Sequence, residues 1–220
     1  MDLSQVHFSC SASGMLIHPW DAAHDDAEWR AWLSTHDFGQ LIAGGAGRDL
    51  PIVNPVHFVY DGDRTVLLHL ARPNPVWPLL EEHPRALLAV IDDHTYIRSG
   101  WNTPADPPHG VPTSYYSSVQ LECDVRLIDD AAEKAALLDR QLAHFEPGSD
   151  RLGVSVTEAP DKRLLPGIRG VELTVTGVRA KFKFGGNKQP ADRSRIDAEL
   201  ARRDGPMDAR ARAQLARRER

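Results

Sequence analysis

Cysteine is scarce in this chain. Two occur among 220 residues, Cys10 in a Ser-rich leader and Cys123 in a predicted strand, so no disulfide framework is expected and a reducing cytoplasm is the simpler setting. Long apolar runs are missing as well. Nothing approaches the length of a membrane span, and Met-Asp-Leu-Ser-Gln-Val at the start lacks the basic-then-apolar order of a signal peptide. There is no surplus of positive charge: the formal net charge of -5 argues against binding a polyanion through overall charge. Ten histidines invite a metal reading, yet none are paired as His-x-x-x-His in a helical context, and no metal site is expected. No internal repeat and no domain-splitting linker is found.

What is present is enough apolar residue, 41%, to build an ordinary soluble core without staples. The charge is uneven, with Asp and Glu crowding residues 21–28 and Arg dominating residues 193–220. Residues 1–14 are read as a disordered leader, with organised sequence starting at Met15. A helix follows over 25–35, capped by Asp25 or Asp26, and its Trp29, Trp32 and Leu33 share one core-facing side. Strands are expected over 38–43, 52–60, 65–70, 85–92, 114–128 and 170–184. The first two are joined by the turn 44–49, and the second and third by Asp61-Gly62-Asp63, a strong hairpin signal. Helices are expected over 75–83, 130–144, 191–203 and 207–219, with a helical turn at 161–165. A long Pro/Gly-rich loop covers 98–112, and 146–160 is irregular. Six antiparallel strands with helices at the margins make a mainly β (α+β) closed or split barrel. The split barrel occupies 15–190 and a helical extension 191–220.

Chemistry-bearing side chains gather at strand ends. His69, Arg72 and Asn74 close the third strand and its turn; an Arg fork with neighbouring His and Asn donors suits a phosphate, the alternative being a solvated Arg and a packed His. Tyr96, Ser99 and Trp101, with Thr113, Tyr115 and Tyr116, offer hydroxyls and aromatic faces suited to a flat heteroaromatic ring, although strand tyrosines commonly just pack. Lys181, Lys183, Asn187 and Lys188 put positive charge at the end of the last strand, suited to phosphate or to guarding a solvated edge. Asp92-Asp93 reads as a strand cap. The Arg-rich tail, mixed with Asp and Glu, reads as a solvated face. A single His could still serve as an axial haem ligand.

Several segments together resemble the PaiB family, described as FMN-binding negative transcriptional regulators of the FMN-binding split-barrel fold. They are Phe38-Gly39-Gln40-Leu41-Ile42, the run His69-Leu70-Ala71-Arg72-Pro73-Asn74-Pro75-Val76-Trp77, His94-Thr95-Tyr96-Ile97 with Ser99 and Trp101, and Val111-Pro112-Thr113-Ser114-Tyr115-Tyr116. The run from Leu164 to Glu172 and Ala180-Lys181-Phe182-Lys183 with Asn187 continue the likeness. The resemblance implies a homodimer with flavin sites at the subunit interface. It implies His69, Arg72, Asn74, Tyr96, Ser99, Thr113 and Lys183 as FMN contacts, with Trp101, Tyr115 and Asn187 beside them. Two departures stand out. The family often has Trp-Asn-Tyr after Pro-Thr, where this chain has Ser114-Tyr115-Tyr116, and Ser-Gln-Asn after the last Lys, where this chain has Gly185-Gly186-Asn187.

Three functions follow as expectations. The first is an FMN-dependent oxidoreductase or flavin-linked regulator acting on an unidentified small molecule. The second is a haem enzyme of the same fold with His69 as axial ligand, as implied by relatives of the family that carry out N–N bond chemistry. The third is a DNA-binding repressor, which the negative charge and the lack of a basic recognition helix weigh against.

Overall fold

The computed structural model describes residues 14–45, 47–102 and 109–218. The expected leader, apart from Gly14, and the middle of the 98–112 loop lie outside the described residues. Seven strands form one antiparallel sheet in the order β2-β1-β5-β6-β7-β4-β3. They are β1 (Phe38–Ala43), β2 (Ile52–His57), β3 (Val59–Tyr60), β4 (Thr65–Ala71), β5 (Arg85–Ile97), β6 (Thr113–Ile128) and β7 (Ile168–Lys183). The helices are α1 (Asp26–Leu33), α2 (Trp77–Glu82), α3 (Ser99–Asn102), α4 (Ala131–Phe145), α5 (Asp161–Leu164), α6 (Pro190–Arg203) and α7 (Asp208–Arg217). No helix among the described residues is long and apolar enough to cross a membrane.

The expected second strand is two strands, and the break explains the architecture. β2 pairs with β1 at one edge of the sheet, and β3 pairs with β4 at the other. The chain changes partner at Phe58, whose side chain is fully buried and whose N–H donates to the Asp37 carbonyl at 2.8 Å. One extended segment therefore serves both edges and curls the sheet into a split barrel that is not closed by a continuous ladder. Helix α4 lies over the split. Its first turn is capped by Asp130, whose carboxylate accepts from the N–H groups of Ala132 and Glu133.

Inward residues fill the barrel: Leu41, Val56, Val66, Leu68, Leu88, Val90, Val119, Leu121, Val171 and Leu173 are all buried. Trp29, Trp32 and Leu33 of α1 pack on this core, as the helical spacing predicts, and Asp25 caps that helix. The Asp61-Gly62 hairpin forms with Gly62 at φ +89°, where a side chain would be strained.

Two sequence expectations are corrected. Asp92-Asp93 does not cap a strand end, because β5 runs on to Ile97 through a bulge at Asp93, which sits at φ +55°. The Asp93 carboxylate is buried and accepts from Trp32 Nε1 (2.6 Å), Ser117 Oγ (2.8 Å) and Gln214 Nε2 (2.8 Å). The Arg-rich tail is a solvated face on one side only, Arg202, Arg210 and Arg217 being exposed. Leu200, Ala211 and Leu215 are buried, and its arginines pair inward: Arg203 with Asp208, Arg210 with Asp92 and Asp93, Arg218 with Glu28. Arg195, Arg202, Arg203 and Arg212 pair with acids of the tail itself, whereas Arg210 and Arg218 reach acids far away in sequence, which spacing alone does not reveal.

Candidate functional site

The residues singled out from the sequence separate into groups. His69 pairs in register with Gly170 at the start of β7, whereas Lys183, at its end, pairs with Tyr116. From Gly170 to Lys183 is roughly 40 Å of strand. His69, Arg72 and Asn74 therefore cluster at one end of the sheet, and Thr113, Tyr115, Lys183 and Asn187 at the other.

At the first end, His69 lines a cavity of about 540 Å³ in the barrel split, between β2, β4 and α4, together with His57, Leu138, Leu142 and Phe145. Its Nδ1 lies 2.7 Å from Gln141 Oε1. The carbonyl oxygen can only accept, so Nδ1 carries the proton and Nε2 is the basic nitrogen. Arg72 donates from Nη2 to Asp129 (2.8 Å) and from Nε to the Pro166 carbonyl (3.2 Å). Asp129 is shared with Arg169, which also reaches Glu81 and lies over the Trp77 ring. Arg169 above all, then Arg72, holds the Asp129 carboxyl below its ordinary range. Lys134, buried nearby, donates to the carbonyls of Leu165 and Ile168. Arg72, Arg169 and Lys134 thus stand against three carboxylates, Asp129, Asp130 and Glu81, and Arg72 is the most exposed of the three cations. Asn74 is occupied structurally: its Nδ2 donates to Asn54 Oδ1 (2.8 Å), tying the β4 end to β2, and its Oδ1 accepts from the Val76 N–H ahead of α2.

At the other end a cleft of about 300 Å³ is lined by Asp21, Thr113, Tyr115, Lys183, Gly185 and Asn187, with the stacked rings of His18 and Trp20 at its side. Lys183 Nζ donates to Thr113 Oγ1 at 2.8 Å. Tyr115 is 1% exposed, and its hydroxyl has no hydrogen-bond partner among the described residues. Burial pushes its phenol up to about 12. Asp21 is 3% exposed; burial raises its carboxyl, and Lys181, Lys183, His18 and Arg218 oppose that shift. Lys181 does not guard an open edge: it is buried, and its ammonium donates to the Leu16 carbonyl at 2.8 Å.

Tyr96 and Ser99 belong to the same end of the sheet, since Tyr96 pairs with Ser114 and Ile97 with Thr113. Tyr96 is more than half exposed. Trp101 is spent on packing: it is buried, with Arg98 and Arg203 over its ring and Arg195 donating to its carbonyl. The sequence reading missed Asp21, Gln141 and the pairing of Gly185 with Tyr115. Asp21 stands in an acidic run whose evident use is helix capping, and Gln141 is one polar residue on an amphipathic helix. Among the described residues, His36, Asp92 and Asp93 could also converge on a cation, but the Arg210 guanidinium already bridges both acids and His36.

Residues 15–177 match the family described as "Putative FMN-binding domain". Among solved structures, a flavocytochrome from Azotobacter vinelandii is similar at 24% identity and a TM-score of 0.59, over 80% of this chain and 75% of that one. The FAD and haem binding protein from Mycobacterium smegmatis is similar at 18% identity and a TM-score of 0.58, over 75% of this chain and 74% of that one. No curated protein matches. At these identities the structural likeness concerns the fold, and α6 and α7 lie beyond the matched family residues.

Proposed function

Because the chain belongs to this family of FMN-binding domains, we propose that it is a PaiB-type flavoprotein, homodimeric, that oxidises or reduces a small molecule through FMN. The observation that carries this reading is the division of its polar residues between opposite ends of β7. FMN is much shorter than that separation, so one chain cannot offer both groups to one cofactor. Two copies related by a two-fold axis can, each supplying a different end. The outer face of β1, β2 and β5 exposes Phe38, Val53 and Ile91, an apolar surface of the kind a second copy covers.

In this arrangement the half-exposed Arg72 meets the phosphate, with Arg169 and Lys134 buried behind it and His69 nearby. Thr113, Tyr115 and Lys183 of the other end face the ring, and Thr113 fixes the lysine ammonium at one position. Bound FMN supplies hydride transfer; the chain's residues bind and orient it. The test is an absorption spectrum and a solution mass of the protein titrated with FMN. Flavin bands that shift on binding and a dimer mass are expected; a monomer that leaves FMN unbound contradicts the proposal.

A second reading, haem at His69, is favoured by one observation. Gln141 holds Nδ1, the arrangement that orients a ligating imidazole, and His69 opens on an apolar cavity of about 540 Å³. A Soret band on adding haem, lost in His69→Ala, is its signature. Direct DNA binding as a repressor is the least favoured, because Arg203, Arg210, Arg212 and Arg218 are each paired with an acid of the same chain. Regulation, in this reading, is indirect and flavin-linked.

A further inference from the structure

The flavin reading leaves the cavity in the barrel split without a role. Among the described residues no Lys or Arg lines it, and one carboxylate, Glu146, does. The phosphate therefore stays outside, at Arg72, and an anion is disfavoured within. Most of the wall is apolar, from Val56, Leu138, Leu142 and Phe145. Val56 and Gln141 are buried, whereas His57, Phe145 and Glu146 are exposed, so the cavity runs inward from a mouth at the C-terminal end of α4. The His57 and Phe145 rings meet there edge to face, 5.2 Å between centroids. A volume of about 540 Å³ falls in the range of small-molecule sites, roughly 300–1,000 Å³.

Two polar side chains on this wall are bonded to each other and to nothing else among the described residues. Gln141 is 6% exposed; its Oε1 accepts from His69 Nδ1, and its amide nitrogen has no partner. His69 Nε2 has none either. The pair offers an acceptor on His69 and donors on Gln141. A hydroxyl both donates and accepts, so it complements them. A carboxylate only accepts, and would meet the His69 lone pair with Glu146 at the same wall.

We infer that this cavity binds a neutral, apolar small molecule carrying a hydroxyl, an aromatic alcohol being the simplest fit. The hydroxyl is held by His69 Nε2 and the Gln141 amide, and the ring lies among Val56, Leu138, Leu142 and Phe145. The cavity is lined by none of the phosphate contacts, so the inference does not depend on the flavin reading. Haem on His69 would fill the same space and exclude it.

The test is fluorescence titration of the full chain with three probes. They are 2-naphthol, 2-methoxynaphthalene, which lacks the hydroxyl hydrogen, and 2-naphthoate, an anion at neutral pH. Binding of 2-naphthol is expected, with the ether about fivefold to tenfold weaker, the worth of one hydrogen bond, and the anion weaker still. Leu142→Trp, which fills the cavity from α4, should abolish binding and leave FMN affinity unchanged. His69→Ala should bind the naphthol and the ether alike. No binding of 2-naphthol, or equal binding of all three probes, overturns the inference. Release of bound 2-naphthol by FMN, or by haem with a Soret band, gives the cavity to that cofactor and overturns it as well. A chain that binds 2-naphthol but not FMN sinks the flavin reading and leaves this inference standing. The three probes are compared on the unaltered chain, so the result holds even if a variant does not fold.

Discussion

The Tyr115 hydroxyl lies directly over Gly185, close enough that a Cβ there would approach the phenol oxygen to 2.4 Å. Gly185 also sits at φ +70°, a conformation that disfavours any side chain. Gly185→Ala therefore combines backbone strain with a clash against a side chain that cannot move. It is expected to destabilise the protein by about 2–4 kcal/mol. Tyr115→Phe removes the clashing oxygen and should recover part of that loss, so urea unfolding of both single variants and the double variant should give a non-additive cycle. Strict additivity would mean the two residues do not share this space.

The same burial fixes the behaviour of Tyr115 in alkali. Its folded pKa, pushed up to about 12 from an ordinary value of 10.0, makes the neutral phenol the form that the fold favours. The associated stability is complete below the ordinary tyrosine range and is lost as pH rises toward 12. Burial also raises Tyr60, but ultraviolet titration should show a component near pH 12 that vanishes in Tyr115→Phe. Ionisation of all four tyrosines near pH 10 would contradict the buried placement.

The C-terminal helices are bound to the barrel through two acids. Asp93 receives three side-chain hydrogen bonds, one of them from Gln214 on α7. Asp93→Ala leaves those three buried donors unmatched, Arg210 keeping Asp92, and should cost about 3–5 kcal/mol in denaturant unfolding. Asp208, held by Arg203 well below the usual carboxylate range, also accepts from Thr95 and from the Gly205 N–H. Its contribution is present above the ordinary Asp range and is lost as pH falls below it. Asp208→Asn should be less stable at neutral pH and show a shallower decline in acid. An unchanged acid profile would contradict the pairing.

Much of the sheet was legible because its hairpins carry local chemistry. Asp61-Gly62 and the turn after Ala43 state their geometry in adjacent residues, and Trp29, Trp32 and Leu33 declare a buried helix face by spacing. The change of partner at Phe58 was not legible, since an unbroken apolar strand and one that switches edges have the same periodicity. The continuation of β5 past Asp92-Asp93 was hidden for another reason. Two acids read as an ending unless their partners are known, and those partners are Trp32, Ser117, Gln214 and Arg210, far away in sequence. The candidate site was half legible. Residue types marked both ends, but nothing in the order of residues says that they lie at opposite ends of β7.

Arg72 bears on the anion at the His69 end. It is half exposed and shares Asp129 with the more buried Arg169. Its loss therefore removes positive charge without stranding the carboxylate. Arg72→Ala should weaken FMN binding about tenfold or more while shifting stability by less than about 1 kcal/mol. Equal FMN affinity in the variant and the unaltered chain would remove the phosphate from this end.

The central claim is that each cofactor site takes one end from each of two copies. It is tested by mixing two defective proteins, Arg72→Ala and Lys183→Ala, after unfolding and refolding them together, and measuring FMN stoichiometry. Neither variant should bind tightly alone. If sites are shared between copies, each mixed dimer rebuilds one intact site, and about a quarter of all sites should regain full affinity. No recovery on mixing, with both variants folded and dimeric, would show that a single chain supplies the whole site and would contradict the account.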